Sequence, residues 1–256
     1  MGLGLSVAGY KSVIEMQFAD FVSSGFNAVV NNLAKSHYRW QQCSDVVVRM
    51  PCGAGVGAGP FHSQTNEAWF THTPGLKVVY PSNPTDAKGL LLTSIEDPNP
   101  VMFFEHKALY RSISEQVPEG YFTIPFGNAK IVESGTDLSI ITYGLGVHWA
   151  LDFIRNNENI SIDLIDLRTL VPLDKKAIDL SVKKTGKVLI LHEDIQMGGF
   201  GSDIASYISE NLFEYLDAPI HRVSSLDTPV PFAENLEKIY LANDRLNEAI
   251  DKIYKY

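Results

Sequence analysis

Along the first half of the chain, short blocks of apolar residues alternate with longer stretches whose apolar positions recur every three or four residues. SVIEMQF (12–18), VVVRM (46–50), KVVYP (77–81) and VMFFE (101–105) are the short blocks. Blocks with little polar alternation predict strands buried on both faces, the habit of parallel sheets. Between them, 21–40 sets Phe26, Val29, Val30, Leu33 and His37 at helical spacing. Residues 85–97 read as a second helix with Asp86 near its start, where a carboxylate suits the helix dipole. Strand and helix in alternation predict a parallel sheet covered by helices.

Residues 106–126 break that rhythm with Pro118, Gly120, Pro125 and mixed charge, and read as a connection. The pattern then restarts. Strands are expected at 138–144, 161–170 and 187–194, and helices at 146–157, 173–186 and 198–213, with a short amphipathic helix at 244–256. Helix 173–186 ends on Gly186, a common stop. The expected architecture is α/β in two domains, 1–117 and 118–256, each a mainly parallel sheet flanked by helices.

Composition narrows the classes. With 45% hydrophobic and 20% charged residues in 256, the chain has enough apolar material for a packed core. No apolar run approaches the roughly 18 residues of a membrane span, and MGLGLSVAGYKSVIEM lacks the basic opening of a signal peptide. No membrane partner is expected. Cys43 and Cys52 are too few for a disulfide scaffold or a cysteine zinc site, and they suit a reducing cytoplasm. A net charge of −9 argues against nucleic acid as a partner. Residues 1–115 hold 8 basic and 9 acidic side chains, whereas 116–256 hold 13 and 21. The acidic second half reads either as an ordinary solvated surface or as a docking face for a basic partner.

Several long segments carry a resemblance. HSQTNEAWFTHTPGLKVV (62–79), PTDAKGLL (84–91), IEDPNPV (95–101) and FFEHKALYR (103–111) stand in the first half; IDLRTLVPLD (165–174), HEDIQMGGFGSDIA (192–205) and APIHRVSSLDTPVPFAENLE (218–237) stand in the second. In order and spacing they resemble the beta subunit of the decarboxylating component of 2-oxo acid dehydrogenases, a transketolase-like family. The resemblance covers essentially the whole chain. It implies a pyrimidine-binding domain, here lacking its start, followed by a transketolase C-terminal-type domain. It also implies thiamine diphosphate with Mg²⁺ between an alpha and a beta chain, alpha holding the diphosphate and magnesium and beta holding the aminopyrimidine. Two alpha and two beta chains would form a heterotetramer serving a lipoyl acyltransferase core.

Carried over position by position, the resemblance makes Phe21 in QFADF the ring that stacks on the pyrimidine and Gln17 a polar pocket residue. His62 of the HSQ motif becomes the active-site histidine, in contact with substrate or assisting acyl transfer to the lipoyl arm; imidazoles exchange protons near working pH. The family's thiamine-activating glutamate is expected just before Met1, since Glu15 matches a different position. The diphosphate-binding pattern of the alpha half is absent from the sequence. The chain is therefore expected to be inactive alone. A bound potassium ion is implied at Ser44, Val46, Val47, Ser94, Asp97 and Asn99, mostly through backbone carbonyls.

Other features have plainer readings. The glycines of PCGAGVGAG (51–59) lack the Lys-Ser/Thr ending of a nucleotide loop and are expected to let the backbone approach a neighbour and the cofactor. HEDIQMGGFG (192–201) reads as a strand-to-helix turn at a subunit interface. His72 has a helix-end role or a pocket role, and His106, His148, His192 and His221 lack metal-ligand spacing and read as structural. FFEHKALYR and Gln17 favour a branched-chain 2-oxo acid such as 3-methyl-2-oxobutanoate, with pyruvate the alternative. A different reading is a catalytically incomplete assembly module whose acidic half docks the acyltransferase core. Transketolase and deoxyxylulose-phosphate synthase fit less well, because their longer chains carry both halves.

Overall fold

The computed structural model describes residues 1–157 and 159–256. Four parallel strands, β1 (Ser12–Glu15), β2 (Val46–Cys52), β3 (Lys77–Val79) and β4 (Val101–His106), form most of a first sheet in the order β1-β2-β4-β3. The apolar runs have the expected cause. In β4, Met102 and Phe104 pack into the main core while Val101 and Phe103 face the opposite way, onto Leu90. Five helices belong to this part: α1 (Gly2–Val7), α2 (Ser36–Trp40), α3 (Ala68–Thr71), α4 (Pro84–Glu96) and α5 (Leu109–Ser112). Asn83 caps α4 by accepting the Asp86 N–H at 2.8 Å.

Two expectations fail here for local reasons. The strand expected at 12–18 stops at Glu15, because Gln17 takes a left-handed turn at φ 58° that no strand tolerates. The single helix expected at 21–40 is three pieces: a 3₁₀ segment Ala19–Gly25, a π-helical stretch Ala28–Leu33, and α2. Ser23-Ser24-Gly25, Val29-Val30 and Asn31-Asn32 are weak helix formers, and packing overrides the α period. Of the five residues set at helical spacing, Val29 and Leu33 are buried, whereas Phe26 and His37 are exposed.

Beyond the connection come β5 (Lys130–Glu133), β6 (Leu138–Thr142), β7 (Ile162–Asp166), β8 (Thr169–Val171), β9 (Val188–Ile195) and β10 (His221–Ser225). Five of them make the second sheet in the order β10-β9-β6-β7-β5, parallel except for β5. On one face lie α6 (Leu145–Asn156) and α10 (Asn243–Tyr254); on the other lie α7 (Lys175–Thr185) and α8 (Gly201–Asn211). A short α9 (Glu234–Tyr240) precedes α10. The sequence pattern did not signal β5, β10 or α9; β5 is mostly exposed and short, and β10 begins with His221 and Arg222.

The strand expected at 161–170 is the most informative difference. It is two strands in two sheets. Arg168 turns the chain at φ 60°, after which β8 pairs antiparallel with β3 as the fifth strand of the first sheet. A division near residue 118 therefore leaves β8 on the far side from the sheet it joins. The crossing is held by charge. Arg168 donates to both oxygens of Asp86, at 2.8 and 2.6 Å, and Ser82 Oγ donates to Asp166 at 2.5 Å. One continuous core, containing Tyr80 and Phe104 as well as Ile141, Ile165 and Ile190, runs between the sheets.

Arg168→Met leaves the Asp86 carboxylate, 2% exposed, without its counter-charge. The expected loss is about 3–5 kcal/mol of unfolding free energy, read from urea midpoints. The double substitution Arg168→Met, Asp86→Asn recovers part of that loss, because no buried charge then remains.

Candidate functional site

The carboxyl ends of β1 and β2 build the site, and ligands of parallel sheets bind outside the carboxyl ends of the strands. The turn at Gln17 delivers Phe18 and then Phe21 from the end of β1. The glycine-rich loop after β2 delivers His62. The three rings meet edge to face: Phe18–His62 centroids are 4.9 Å apart, Phe21–His62 5.5 Å and Phe18–Phe21 5.4 Å. Phe21 and His62, named from motifs far apart in sequence, thus lie together. Phe18 is the third member, and its place one residue from Gln17 was the only signal for it. Gln17 is on the turn itself, exposed.

Polar bonds stitch the two segments. Gln64 Nε2 donates to Asp20 Oδ1 at 2.9 Å and to the Pro60 carbonyl at 3.1 Å, and Asn66 Nδ2 donates to the Ala19 carbonyl at 3.1 Å. Lys107, next to the FFEH strand, reaches under the loop: its ammonium donates to the carbonyls of Gly53 at 2.8 Å and His62 at 2.6 Å, and lies 5.4 Å from the centre of the Phe18 ring. Burial pulls the Lys107 ammonium below its usual range. Glycine is required at Gly53, against the buried His106 ring, and is favoured at Gly59 by its φ of 70°. A Cβ at Gly53 would stand 2.0 Å from His106 Nε2, and one at Gly59 would stand 2.2 Å from the Phe232 ring. The close approach expected of these glycines is real, and the neighbours lie partly in the second half of the chain.

A group of buried acids lies behind the site. Glu67 is fully buried and accepts the Tyr143 hydroxyl at 2.8 Å. Burial, then the charge of Asp194, push its carboxyl well above the usual range. Asp194 is itself raised to about 7 by burial and by the charges of Glu193 and Asp227. Glu193 bonds His106 at 2.5 Å. His106 therefore joins the two halves. His148 Nε2 donates to the Ser82 carbonyl at 2.7 Å, and His192 is buried against Tyr143, its imidazole pulled to about 4 by burial. His72 is an exposed residue at the end of α3. Glu67 and Glu193 were not singled out from sequence, because their partners Tyr143, His106 and Ala54 lie many tens of residues away.

The six residues expected to hold potassium gather where β2 and β4 begin. Ser44 N–H donates to the Pro98 carbonyl at 3.2 Å, and Val47 pairs with Val101. Asp97 is already engaged: Lys77 donates to one oxygen, while the Asn99 backbone and side-chain amides donate to the other at 2.9 and 3.0 Å. The Ser94 hydroxyl bonds its own helix at Leu90, and Val46 N–H takes the Ser44 carbonyl at 2.8 Å.

The overall architecture matches a solved split-gene transketolase described as an inactive beta4 tetramer, with a TM-score of 0.79 over 99% of this chain and 79% of that one, at 22% identity. That likeness defines a transketolase-type fold. The chain belongs to the transketolase family: residues 1–112 match its pyrimidine binding domain and residues 127–245 its C-terminal domain. Among similar chains, the mitochondrial 2-oxoisovalerate dehydrogenase subunit beta 2 of Arabidopsis thaliana is 43% identical, over 100% of this chain and 72% of that one. The 2-oxoisovalerate dehydrogenase subunit beta of Bacillus subtilis is 42% identical, over 100% and 80%. The pyruvate dehydrogenase E1 component subunit beta of Rickettsia felis is also 42% identical, over 100% and 80%. Among the described residues no helix is long and apolar enough to cross a membrane.

Asp194 gives a pH prediction. Its folded value of about 7 lies above the ordinary 3.8. Between those values the folded chain keeps a proton that the unfolded chain has lost, so stability falls as pH rises through that window. Asp194→Asn removes the penalty. Denaturant midpoints from pH 4 to 8 are expected to fall less steeply in the variant, which becomes the more stable of the two at pH 8.

Proposed function

We propose that this chain is the beta portion of a 2-oxo acid dehydrogenase that works with an alpha partner on a branched-chain 2-oxo acid such as 3-methyl-2-oxobutanoate. The observation that carries the reading is the Phe18–Phe21–His62 cluster at the strand ends of the pyrimidine-binding half. Phe21 is 39% exposed and offers a ring face to a flat heterocycle. Asp20, Ser63 and Asn66 each keep a buried oxygen without a partner beside the cluster, which suits a polar ligand. These residues fit the aminopyrimidine of thiamine diphosphate, whose magnesium and diphosphate would rest on the alpha partner.

Bound there, thiamine diphosphate supplies the nucleophilic carbon and the electron sink for decarboxylation. The chain's residues do the rest. Phe21 and Phe18 fix the ring plane and keep water from it. His62 gives or takes a proton at its ring nitrogen during acyl transfer to a lipoyl arm. Gln17, exposed on its turn, contacts the substrate side of the pocket. Ser44, Val46, Val47, Ser94, Asp97 and Asn99 remain our candidates for a potassium ion that steadies the start of β2. The acidic second half docks the acyltransferase core, and two unpaired thiols support a reducing, cytoplasmic setting.

Pyruvate is the second reading, supported by relatives that are pyruvate dehydrogenase beta subunits at 42% and 41% identity. The test is decarboxylation of 3-methyl-2-oxobutanoate and of pyruvate by the chain in its 256-residue form and in an upstream-extended form, each co-expressed with its alpha partner, with thiamine diphosphate and Mg²⁺. A higher kcat/KM for the branched acid is expected, and His62→Ala should lower transfer to a lipoyl acceptor by roughly 10²–10⁴. Turnover of pyruvate alone would transfer the assignment to the second reading. Absence of either activity in the complex would leave the assembly role.

A further inference from the structure

The glycine-rich loop has the backbone of an anion cradle and the chain fills it from within. Gly55 and Gly57 have φ of 81° and 69°, so that nearby amides turn the same way. Gly55 N–H donates to Glu237 Oε1 at 2.9 Å and Gly57 N–H to Glu237 Oε2 at 3.1 Å, while Ala54 N–H donates to Glu193 Oε1 at 2.7 Å. Both carboxylates come from the second half of the chain: Glu193 from β9 and Glu237 from α9, 5% and 3% exposed. Val230 and Tyr240 pack on Ala54 around this contact, and the Phe232 ring covers Gly59.

Apart from these bonds, Gln64 Nε2 holds the Pro60 carbonyl at 3.1 Å. Among the described residues, the backbone bond inside it is His62 N–H to the Gly59 carbonyl, long at 3.4 Å. Lys107 grips its two ends through the Gly53 and His62 carbonyls. The middle is held by the carboxylates. Release of Glu237 frees two consecutive anchor points within a few residues of His62, while the anchors at each end stay made.

We propose that Glu237 is a positioning residue for His62: α9, through the bidentate grip of Glu237 on the Gly55 and Gly57 amides, sets where the imidazole stands against Phe18 and Phe21. The proposal deepens the site described under Proposed function and rests on that reading for its activity arm. Its structural arm stands independently.

The experiment compares the parent, Glu237→Gln, the exposed control Glu234→Gln and His62→Ala, each assembled with the alpha partner. Glu237→Gln keeps the size of the side chain but replaces one acceptor oxygen with a carboxamide NH2, which cannot accept from the amide it faces. Charge-assisted bonds of this kind are strong enough for a tenfold effect or more. Amide hydrogen exchange over 54–61 is expected to quicken about tenfold, with protection of β2, β4 and β9 unchanged. Turnover to a lipoyl acceptor is expected to fall about tenfold in kcat, with little change in KM for the 2-oxo acid and a displaced pH–rate profile. Glu234→Gln should match the parent. Unchanged exchange in the loop overturns the proposal, and so does loss of protection across the strands as well, which would mark a general structural role. If loop exchange rises while kcat and the pH profile stay put, the proposal also fails. Full activity in His62→Ala would instead overturn the reading of the site, leaving the exchange result to decide what Glu237 holds.

Discussion

A carboxylate taken out of water costs several kcal/mol unless hydrogen bonds or an opposite charge meet it. Glu67, Asp86, Asp166, Glu193 and Glu237 are all buried, and each finds its partner across the seam between the two sheets. Asp86 meets Arg168, Asp166 meets Ser82, Glu67 meets Tyr143, Glu193 meets His106 and Ala54, and Glu237 meets Gly55 and Gly57. A shift of one half against the other would strand several of these buried acids at once. Apolar burial draws the halves together, but it is directionless; the acids specify the register in which they meet.

The same acids explain why the site is assembled from both halves although its rings come from one. The aromatic cluster and His62 hang on the ends of β1 and β2. The loop that carries His62 is stitched to β9 and α9, over a hundred residues further on. The crossing of β8 into the first sheet adds a backbone tie to these side-chain ties. The second half is therefore part of the site's scaffold, joined to it by charge, by core packing and by a shared strand.

What the sequence made legible follows from range. β2, β4, β6 and β9 are continuous apolar runs, and burial on both faces is a local signal. Phe21 and His62 were legible because each sits in a motif with its neighbours. The break at Arg168 was not, since 161–170 is uniformly strand-like and only a positive φ at one arginine divides it. Nor was the helix at 21–40 as regular as its spacing suggested, because spacing reports which residues face inward and not how the backbone turns between them. Glu193 and Glu237 looked like surface acids in an acidic half. Nothing near them in sequence announces that their partners are backbone amides of a glycine loop.

The glycines and the charged grips answer one conflict. The buried His106 ring presses so close to Gly53 that no Cβ fits, and Gly59, under the Phe232 ring, has a φ of 70° that favours glycine. Glycine also leaves the chain its greatest freedom, which folding must remove. Ordering a residue's backbone costs about 1–2 kcal/mol, and a loop of this length would stay mobile on van der Waals contact alone. Five bonds from Lys107, Glu193 and Glu237 to its carbonyls and amides, each worth about 1.5–3 kcal/mol, are of the size needed to hold it. A bulkier loop would need fewer grips but could not pass between the two halves. The charges along the seam thus close the fold and, through the same atoms, keep still the one segment whose position the site depends on.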